Sequence, residues 1–299
     1  MERCSTILDI RGFVRQQKQA GKTIAFVPTM GALHAGHRSC MDIARKAGDC
    51  LVVSIFVNPT QFGPNEDIDS YPHALDEDLA RCREWGCDAV FSPSVSEMYP
   101  ESHTVWVEPG PAAEPLCGRT RKGHFRGVTT VVRKLFDVVE PDIAVFGQKD
   151  AQQATVIREM VRQLNLPVRL LVSPIIREED GLALSSRNRR LTRDERPRAV
   201  ALHHALGYGL KILSGGEINP RKICEAVIKR LNDDGVDRVE YVELLRVPEL
   251  SGIERVEGKL LLAAAVHVGS VRLIDNRVVQ VAADGQVSEA PLFDVDLAP

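Results

Sequence analysis

Residues 28–37 read Pro-Thr-Met-Gly-Ala-Leu-His-Ala-Gly-His, between an apolar run at 23–27 that predicts a strand and a stretch to about Ala47 that predicts a helix. His34 and His37 therefore fall at the start of a helix. Unpaired backbone N–H groups and the positive end of the helix dipole attract anions there. Side chains three residues apart share a helix face, and Gly36 leaves the backbone open to a ligand. The pattern predicts a cradle for the phosphates of a nucleotide.

Two other interpretations of this pattern compete with the cradle. A histidine near a helix start can be a cap or a surface residue, and H-x-x-H also suggests zinc. Zinc is disfavoured, because H-E-x-x-H sites space two ligands at i and i+4 and need a third ligand and a Glu base. Neither of these is evident in the sequence.

The first 176 residues alternate short apolar runs with helical segments, which predicts crossover connections and a parallel sheet. The predicted strands are Thr23–Val27, Cys50–Val57, Asp88–Phe91, Ile143–Phe146 and Val168–Val172. The predicted helices between them are Leu75–Trp85, Thr129–Val139 and Ala151–Leu164. We interpret Asp76-Glu77-Asp78 as the acidic first turn of its helix.

The pattern changes near Pro174, and we place a domain boundary between residues 176 and 177. Residues 177–299 are predicted to form a smaller α+β domain. Its predicted helices are Arg196–Leu213 and Pro220–Leu231, and its predicted strands are Val239–Leu245, Lys259–Val268 and Val271–Ile274.

Composition is that of an ordinary globular chain of 299 residues, long enough for two domains. Its formal net charge of −3 does not suggest a nucleic-acid partner. Seven cysteines without a C-x-x-C pair suit a reducing compartment, and core packing explains Cys82 and Cys87 better than metal binding. Without a basic and apolar leader or a run of about 18 apolar residues, we expect a soluble cytoplasmic protein and no membrane partner.

Three more segments follow predicted strands, at the edge of a parallel sheet where ligands bind. Gln61, after the second strand, offers both a donor and an acceptor to a hydroxy acid. In Gly147-Gln148-Lys149-Asp150, the lysine can meet a phosphate, although a polar loop capping the next helix through Asp150 explains the segment equally well. Ser185-Ser186-Arg187, beside the domain boundary, could hold a triphosphate, although such loops are common.

Together these segments closely resemble the family of pantoate–β-alanine ligases. That family carries the signature seen at Pro28–His37, the S-I-F-V-N-P-x-Q-F segment at Ser54–Phe62 and G-[EQ]-K-D before a Q-Q pair at Gly147–Gln153. It also carries D-G-L-A-x-S-S-R-N, as at Asp180–Asn188, and H-F-x-G-V, as at His124–Val128. The resemblance covers residues from about 20 to 195.

The resemblance implies an α/β fold: a Rossmann-like N-terminal domain with a parallel sheet, of the nucleotidyltransferase superfamily, and a smaller α+β C-terminal lid domain. It implies an AMP-forming ligase that makes an amide bond. ATP and (R)-pantoate give pantoyl adenylate and pyrophosphate, and β-alanine then gives pantothenate, a coenzyme A precursor, and AMP. It further implies Mg²⁺ supplied with ATP and a homodimer.

The resemblance also assigns residues to this chemistry. His34, His37, Lys149 and Arg187 would be catalytic, and Gln61 and Gln153 would bind pantoate, with Gln61 also near β-alanine. ATP would contact Met30, Gly31, Ala32, Leu33, His34, Ala35, Gly36, His37, Gly147, Gln148, Lys149, Asp150, Ile176, Leu184, Ser185, Ser186 and Arg187.

Some details depart from the family's usual pattern or description. Gln148 and Ala151 stand where the family more often has Glu and an aromatic residue, and we expect tuning rather than loss. The family's description makes the residue at His37 a proton donor. We expect it to stabilise charge instead, because adenylation of a carboxylate removes no proton.

Two other functions remain to be separated from this one. Another H-x-G-H adenylyltransferase would act on a phosphate-bearing acceptor and would need a second anion site, whereas Gln61 and Gln153 are neutral. A catalytically silent nucleotide-binding or scaffold protein would have no need of the complete set of charges at His34, His37, Lys149 and Arg187.

Overall fold

A computed structural model describes residues 1–63, 68 and 74–293, which contain two β-sheets. The first sheet consists of β1 (Glu2–Cys4), β2 (Ile24–Thr29), β3 (Cys50–Ile55), β4 (Ala89–Phe91), β5 (Ile143–Gly147) and β6 (Arg169–Ser173). The helices that accompany it are α1 (Ile7–Gln19), α2 (Ala35–Ala47), α3 (Leu75–Glu84), α4 (Val95–Met98), α5 (Cys117–Thr120), α6 (His124–Val139) and α7 (Ala151–Gln163).

The strands of this sheet are parallel and lie in the order β1-β4-β3-β2-β5-β6. The chain moves outward from β2 through β3 to β4, then crosses to the other side of β2 to add β5 and β6. The connections after β2 and β5 therefore run in opposite directions, which opens a crevice at the carboxyl ends of these two strands. The predicted Rossmann-like parallel sheet is confirmed.

Both faces of the sheet are covered, which explains why its strands are almost continuously apolar. In β2, Ile24 and Phe26 pack on one face with α1, α6 and α7, whereas Ala25 and Val27 pack on the other face with α2 and α3. Cys82 and Cys87 lie in this second core, as predicted, and the cysteines of the chain are unpaired.

The second sheet belongs to a smaller α+β unit, also as predicted. Its helices are α8 (Arg196–Ser214) and α9 (Pro220–Asp233), and its strands are β7 (Arg238–Arg246), β8 (Ser251–Gly252), β9 (Gly258–Val268), β10 (Val271–Val281) and β11 (Val287–Glu289). The strands pair antiparallel in the order β11-β10-β9-β7-β8. In β9, Leu260 and Leu262 pack with the helices of this unit, whereas Leu261 and Ala263 join the core of the larger one.

Most predicted elements differ from the structure by only one or two residues at an end, but some differences are larger. Helix α6 begins at His124 rather than Thr129, because His124 and Phe125 are buried on it. Strand β10 continues past Ile274 to Val281, because polar residues in its middle find buried partners. Helix α1 was not predicted, although Thr6 and Asp9 form a capping box at its start.

No helix in the described part of the chain is long and apolar enough to cross a membrane.

Candidate functional site

One cleft lies at the carboxyl ends of β2, β3, β5 and β6, where the strand order opens the crevice. Most of the residues assigned from sequence line it: Met30, His34, Gly36, His37, Gln61, Gly147, Lys149, Asp150, Gln153, Ile176, Leu184, Ser185, Ser186 and Arg187. Its apolar wall comes mainly from α6, through Val128, Val131, Val132 and Leu135. The cleft thus joins polar segments that are far apart in sequence to one apolar helix face.

The turn from β2 into α2 has a left-handed backbone at Gly31 (φ 85°) and Ala32 (φ 51°). Asp78 of α3, which is 1% exposed, holds this turn by accepting hydrogen bonds from the backbone N–H groups of Ala32 (2.7 Å) and Leu33 (2.8 Å). Arg81, one turn further along α3, donates to the carbonyl of Leu33 (2.8 Å). Because a Cβ on residue 31 would lie 2.9 Å from an oxygen of Asp78, this position requires glycine. Helix α3 therefore fixes the turn that ends at the two histidines.

The two histidine rings lie side by side at the start of α2, with their centroids 4.1 Å apart. His34 is the N-cap residue, and its Nδ1 accepts a hydrogen bond from the backbone N–H of Gly36 (3.1 Å). Nδ1 of His37 accepts from the backbone N–H of His34 (3.1 Å). The cap interpretation and the cradle interpretation are thus compatible, because capping uses only Nδ1 of each ring.

The same hydrogen bonds set the tautomer of both rings. A backbone N–H can only donate, so each Nδ1 carries a lone pair and a neutral ring carries its proton on Nε2. Burial lowers the pKa of His34 to about 4, with the nearby charge of Lys149 contributing. Burial and the proximity of His34 lower the pKa of His37 to about 3. At neutral pH, both rings therefore provide neutral Nε2–H donors at a helix N-terminus.

Gln61 has its side-chain amide oriented by a buried asparagine. Nδ2 of Asn58 donates to Oε1 of Gln61 (3.0 Å) and to the carbonyl of Gly127 (3.2 Å), and Oδ1 of Asn58 accepts from the hydroxyl of Tyr99 (2.9 Å). Nε2 of Gln61 contacts the sulfur of Met30 (3.2 Å), a weak acceptor. Gln61 therefore has N–H groups to offer a ligand in the cleft.

The backbone at Gln61 is held by the start of α6. Nδ1 of His124 lies 2.8 Å from the carbonyl of Gln61, which can only accept, so the proton is on Nδ1. Nη1 of Arg121 lies 3.0 Å from Nε2 of the same ring. A Cβ on Gly127 would come within 2.4 Å of the carbonyl oxygen of Thr60, so glycine allows this close approach. Arg121 and His124 also line the cleft.

On the opposite side of the cleft, a single 3₁₀ turn, Gln148–Asp150, connects β5 to α7. It places Lys149 and Asp150 in the cleft wall, and Gln153 follows in the first turn of α7. Within the residues that the structure describes, the side chains of Lys149 and Gln153 have no hydrogen-bond or ion-pair partner. Both side chains are available to a ligand.

The segment with Ser185 and Arg187 follows a short hairpin beyond β6. Backbone hydrogen bonds join Leu184 N–H to the Ile176 carbonyl (2.9 Å) and Glu178 N–H to the Leu182 carbonyl (2.9 Å). Oγ of Ser185 accepts from the N–H of Arg187 (3.3 Å), and a 3₁₀ turn begins there. The predicted domain boundary falls within this hairpin and stays a prediction.

Five residues assigned to ATP from the resemblance are absent from the described cleft wall: Gly31, Ala32, Leu33, Ala35 and Gln148. Leu33 is buried in the core, and Gly31 and Ala32 form the turn held by Asp78. Ala35 is exposed, and Gln148 faces Asn276 of β10. These five residues belong to the two turns that hold cleft-lining residues in place, and they do not line the cleft themselves.

Sequence reasoning did not assign roles to Asn58, Asp78, Arg121 or His124. Asn58 and His124 lie inside the motifs at Ser54–Phe62 and His124–Val128, so position within a motif is the available signal. Asp78 was interpreted as part of an acidic first turn, and nothing local separates it from Asp76 and Glu77.

Comparison with known proteins shows the family of this chain. The family model described as pantoate–β-alanine ligase matches residues 2–278. The pantothenate synthetase of Acetivibrio thermocellus is 48% identical over 276 residues, which cover 92% of this chain and 98% of the relative. That of Carboxydothermus hydrogenoformans is 48% identical with the same coverage of both chains.

Solved structures give the same result. The pantothenate synthetase of Thermus thermophilus superposes with a TM-score of 0.87 at 39% identity, covering 92% of this chain and 98% of that one. The pantoate–β-alanine ligase of Francisella tularensis, solved with a β,γ-ATP compound and β-alanine, superposes with a TM-score of 0.77 at 33% identity, covering 92% and 97%. The chain belongs to the family of pantoate–β-alanine ligases.

Proposed function

We propose that the cleft is the active site in which this ligase activates (R)-pantoate with ATP and transfers it to β-alanine, forming pantothenate, AMP and pyrophosphate. One observation carries the proposal. The same cleft brings the paired His34 and His37 donors and the unpaired Lys149 together with two neutral amides, Gln61 and Gln153. The first group suits a triphosphate, and the amides suit an uncharged polyol chain.

In the first step, a carboxylate oxygen of pantoate attacks the α-phosphorus of ATP. A P–O bond forms, and the bond to the β-phosphate oxygen breaks with its electron pair leaving on pyrophosphate. No proton is removed from the carboxylate. The requirement is stabilisation of negative charge on the phosphates, which preorganised N–H donors and cations supply without reorganisation.

His34 and His37 fit this requirement as neutral donors. With pKa values lowered to about 4 and about 3, the rings are not imidazolium ions at neutral pH. Their Nε2–H groups can donate hydrogen bonds to phosphate oxygens, and the N-terminus of α2 adds its dipole. We therefore assign His37 to charge stabilisation and not to proton donation.

Lys149 and Arg187 supply the cations. Lys149 meets a phosphate as a point charge, and the planar guanidinium of Arg187 can bind two phosphate oxygens at once. They reach the cleft from different segments, so together with the histidines they enclose the triphosphate.

Pantoate fits between the amides and α6. It carries two hydroxyls, one carboxylate and a geminal dimethyl group. Gln61 and Gln153 can bond the polar groups, and Val131, Val132 and Leu135 provide an apolar surface for the methyl groups.

In the second step, the neutral amine of β-alanine attacks the acyl carbon of pantoyl adenylate. A C–N bond forms, the C–O bond to AMP breaks with its electron pair leaving on AMP, and the nitrogen releases one proton. The cleft's contribution is to hold the adenylate near Gln61 and to exclude water, which would hydrolyse it.

Mg²⁺ enters this scheme as part of the substrate MgATP. Such ions commonly bind through one or two carboxylates plus phosphate oxygens, and Asp150 is a carboxylate in the cleft wall. Among the described residues, no three His, Cys, Asp or Glu side chains are grouped as a metal site.

A homodimer and a cytoplasmic location complete the proposal, and size-exclusion chromatography with light scattering tests the dimer.

Exchange of labelled pyrophosphate into ATP tests the function. We expect exchange only when pantoate and Mg²⁺ are both present, because adenylation is reversible and precedes attack by the amine. Exchange driven by a phosphorylated acceptor instead of pantoate would favour another H-x-G-H adenylyltransferase. Absence of exchange in folded protein would favour a silent nucleotide-binding protein.

A further inference from the structure

Strand β10 carries two polar residues where its apolar pattern predicts core residues. Asp275 and Asn276 are each 3% exposed, between Leu273 and Val278 of the buried strand. Buried polar side chains need hydrogen-bond partners, because an unsatisfied one destabilises the folded state. Apart from the backbone N–H of Asn276, which donates to Oδ1 of Asp275 (2.8 Å), the side-chain partners of both residues lie outside their own sheet.

Asn276 bonds to the turn that carries Lys149. Its Nδ2 donates to the carbonyl of Gln148 (2.9 Å) and to the carbonyl of Lys149 (3.1 Å). Its Oδ1 faces Nε2 of Gln148 at 3.4 Å. One side chain of the smaller unit thus binds two consecutive carbonyls of a turn in the larger one.

Asp275 anchors the same strand to the hairpin that follows β6. Its two carboxylate oxygens bond Nη1 (2.6 Å) and Nη2 (3.0 Å) of Arg177, and Arg177 also donates to the carbonyl of Gly181 (3.1 Å). Since neighbouring strand residues point to opposite faces, Asp275 and Asn276 reach different segments. The strand is therefore held to the turn that carries Lys149 and to the hairpin that precedes Arg187.

We infer that Asn276 is a positioning residue for Lys149. It lines an adjoining cavity together with Lys149, Gln153 and Arg187, and among the described residues no hydrogen bond joins it to Gln61 or Gln153. It holds the carbonyls of the two peptide groups that flank the Cα of Lys149, and it therefore fixes the direction in which the lysine leaves the turn. The side chain of Lys149 has no hydrogen-bond or ion-pair partner of its own among the described residues, so its direction follows from the backbone that Asn276 holds. This inference rests on the proposed role of Lys149 in binding ATP phosphates.

A double-mutant cycle between Asn276→Ala and Lys149→Ala tests the inference, with pantoate-dependent pyrophosphate exchange as the readout. We expect Asn276→Ala alone to slow exchange by about tenfold to a hundredfold, the order of loss that follows a displacement of about 1 Å. In the Lys149→Ala background, the same change should slow exchange by less than about threefold, because the group being positioned is gone.

Two further variants serve as controls. Gln280→Ala is the matched control, because Gln280 lies in the same strand and its amide donates only to the adjacent carbonyl of Val281. It should exchange like the wild type. Asn276→Asp keeps the size of the side chain but replaces the two donors with a carboxylate facing carbonyl oxygens, so it should lose exchange even if Asn276→Ala does not fold. Thermal unfolding identifies the folded variants.

The inference would be overturned if folded Asn276→Ala or Asn276→Asp exchanged pyrophosphate at the wild-type rate. It would also be overturned if the loss of rate in the double variant equalled the product of the losses in the two single variants. If the wild type exchanges with pantoate but Lys149→Ala is fully active, the role of Lys149 is wrong and the inference falls with it. If the wild type itself shows no pantoate-dependent exchange, it is the proposed function that has failed.

Discussion

The two sides of the cleft that face the proposed triphosphate are stabilised in different ways. On the histidine side, His34 and His37 are held by backbone N–H groups of their own helix turn, and Asp78 holds the turn before them. On the lysine side, Lys149 stands on a turn whose carbonyls are bound by Asn276 from the smaller unit. The first side is complete within one domain, whereas the second depends on contact between two.

The two ways of holding the cleft suit two different kinds of phosphate-binding side chain. Neutral histidine donors need a fixed position and a fixed tautomer, which a local network provides. A lysine is a point charge on a flexible stem, and its attachment to the second unit links its position to the arrangement of the two units. Changes on the histidine side should therefore act through chemistry alone, whereas changes on the lysine side should also respond to contacts between the units.

The largest effect is expected on the histidine side. His34→Ala and His37→Ala should each slow formation of pantoyl adenylate by a factor on the order of 10²–10³, the usual loss for one preorganised donor. The second half-reaction should fall less, because pyrophosphate has left. Single-turnover assays with ATP and pantoate, and separately with pantoyl adenylate and β-alanine, measure the two steps.

His204→Ala is the matched control for these variants, because His204 is exposed on α8. It should leave both steps unchanged. An equal loss in both half-reactions of folded His37→Ala would mean that the histidine organises the whole site, and the phosphate-specific role would be wrong.

A smaller effect is expected from the support of the histidine turn. Asp78→Asn replaces one of the two oxygens that accept from Ala32 and Leu33 with an N–H donor. The turn should shift, and adenylation should slow by about tenfold to a hundredfold. Asp76→Asn, on the exposed side of the same helix turn, should behave like the wild type.

Steady-state kinetics with a check of folding by circular dichroism measures this prediction. Equal activities of Asp78→Asn and Asp76→Asn would show that the turn holds its shape without the buried carboxylate.

Asp78 also marks the limit of prediction from sequence. The acidic first turn of α3 was predicted, but which of its three carboxylates is buried depends on the approach of the turn at Gly31. Likewise, Val271–Ile274 was predicted as a strand that ends where polar residues begin. Asp275 and Asn276 remain inside β10 because they bond to residues that are distant in sequence. Arg177, the partner of Asp275, is 98 residues away, and Gln148, a partner of Asn276, is 128 residues away. Local patterns contain no information about such contacts.

Other parts of the molecule could be predicted because their signals are local. The strand, turn and helix around Pro28–His37 follow from an apolar run, a glycine turn and helical periodicity. His34 and His37 adjoin in space because they are three residues apart on one helix turn. The meeting of Gln61 and Lys149 in one cleft follows from the parallel sheet, since both follow strand ends at one edge.

A moderate effect should separate two adjacent glutamines. Gln153→Ala should raise the pantoate KM by about tenfold, the loss of one hydrogen bond to a ligand, and leave the free energy of unfolding unchanged. Gln152→Ala should leave the pantoate KM unchanged and lower the free energy of unfolding. Gln152 is buried and bonds the N–H of Cys117 and the carbonyls of Ala112 and Pro115, so its loss should lower the free energy of unfolding by about 1–3 kcal/mol.

Urea unfolding and pantoate titrations on both variants measure the two quantities. A Gln153→Ala variant with impaired ATP binding and a normal pantoate KM would contradict the assignment to pantoate.

The smallest effect concerns pH and the histidine side alone. The folded-state pKa values of His34 and His37 lie near 4 and 3, below the ordinary value of 6.5. Between pH 6.5 and about 4, the unfolded chain therefore binds protons at these positions that the folded chain does not. The free energy of unfolding falls as pH decreases through this window, and full stability is present above it.

Urea unfolding at pH 7 and pH 5 tests this prediction by comparing the wild type with a His34→Ala/His37→Ala variant. The remaining titratable groups are common to both, so their contributions cancel in the comparison. The wild type should lose more stability than the double variant on going from pH 7 to pH 5, because only the wild type has two imidazoles that are kept neutral by folding. Equal decreases in the wild type and the double variant would mean that the two rings take up protons in the folded state, and the neutral Nε2–H donors proposed for the phosphates would then be excluded at low pH.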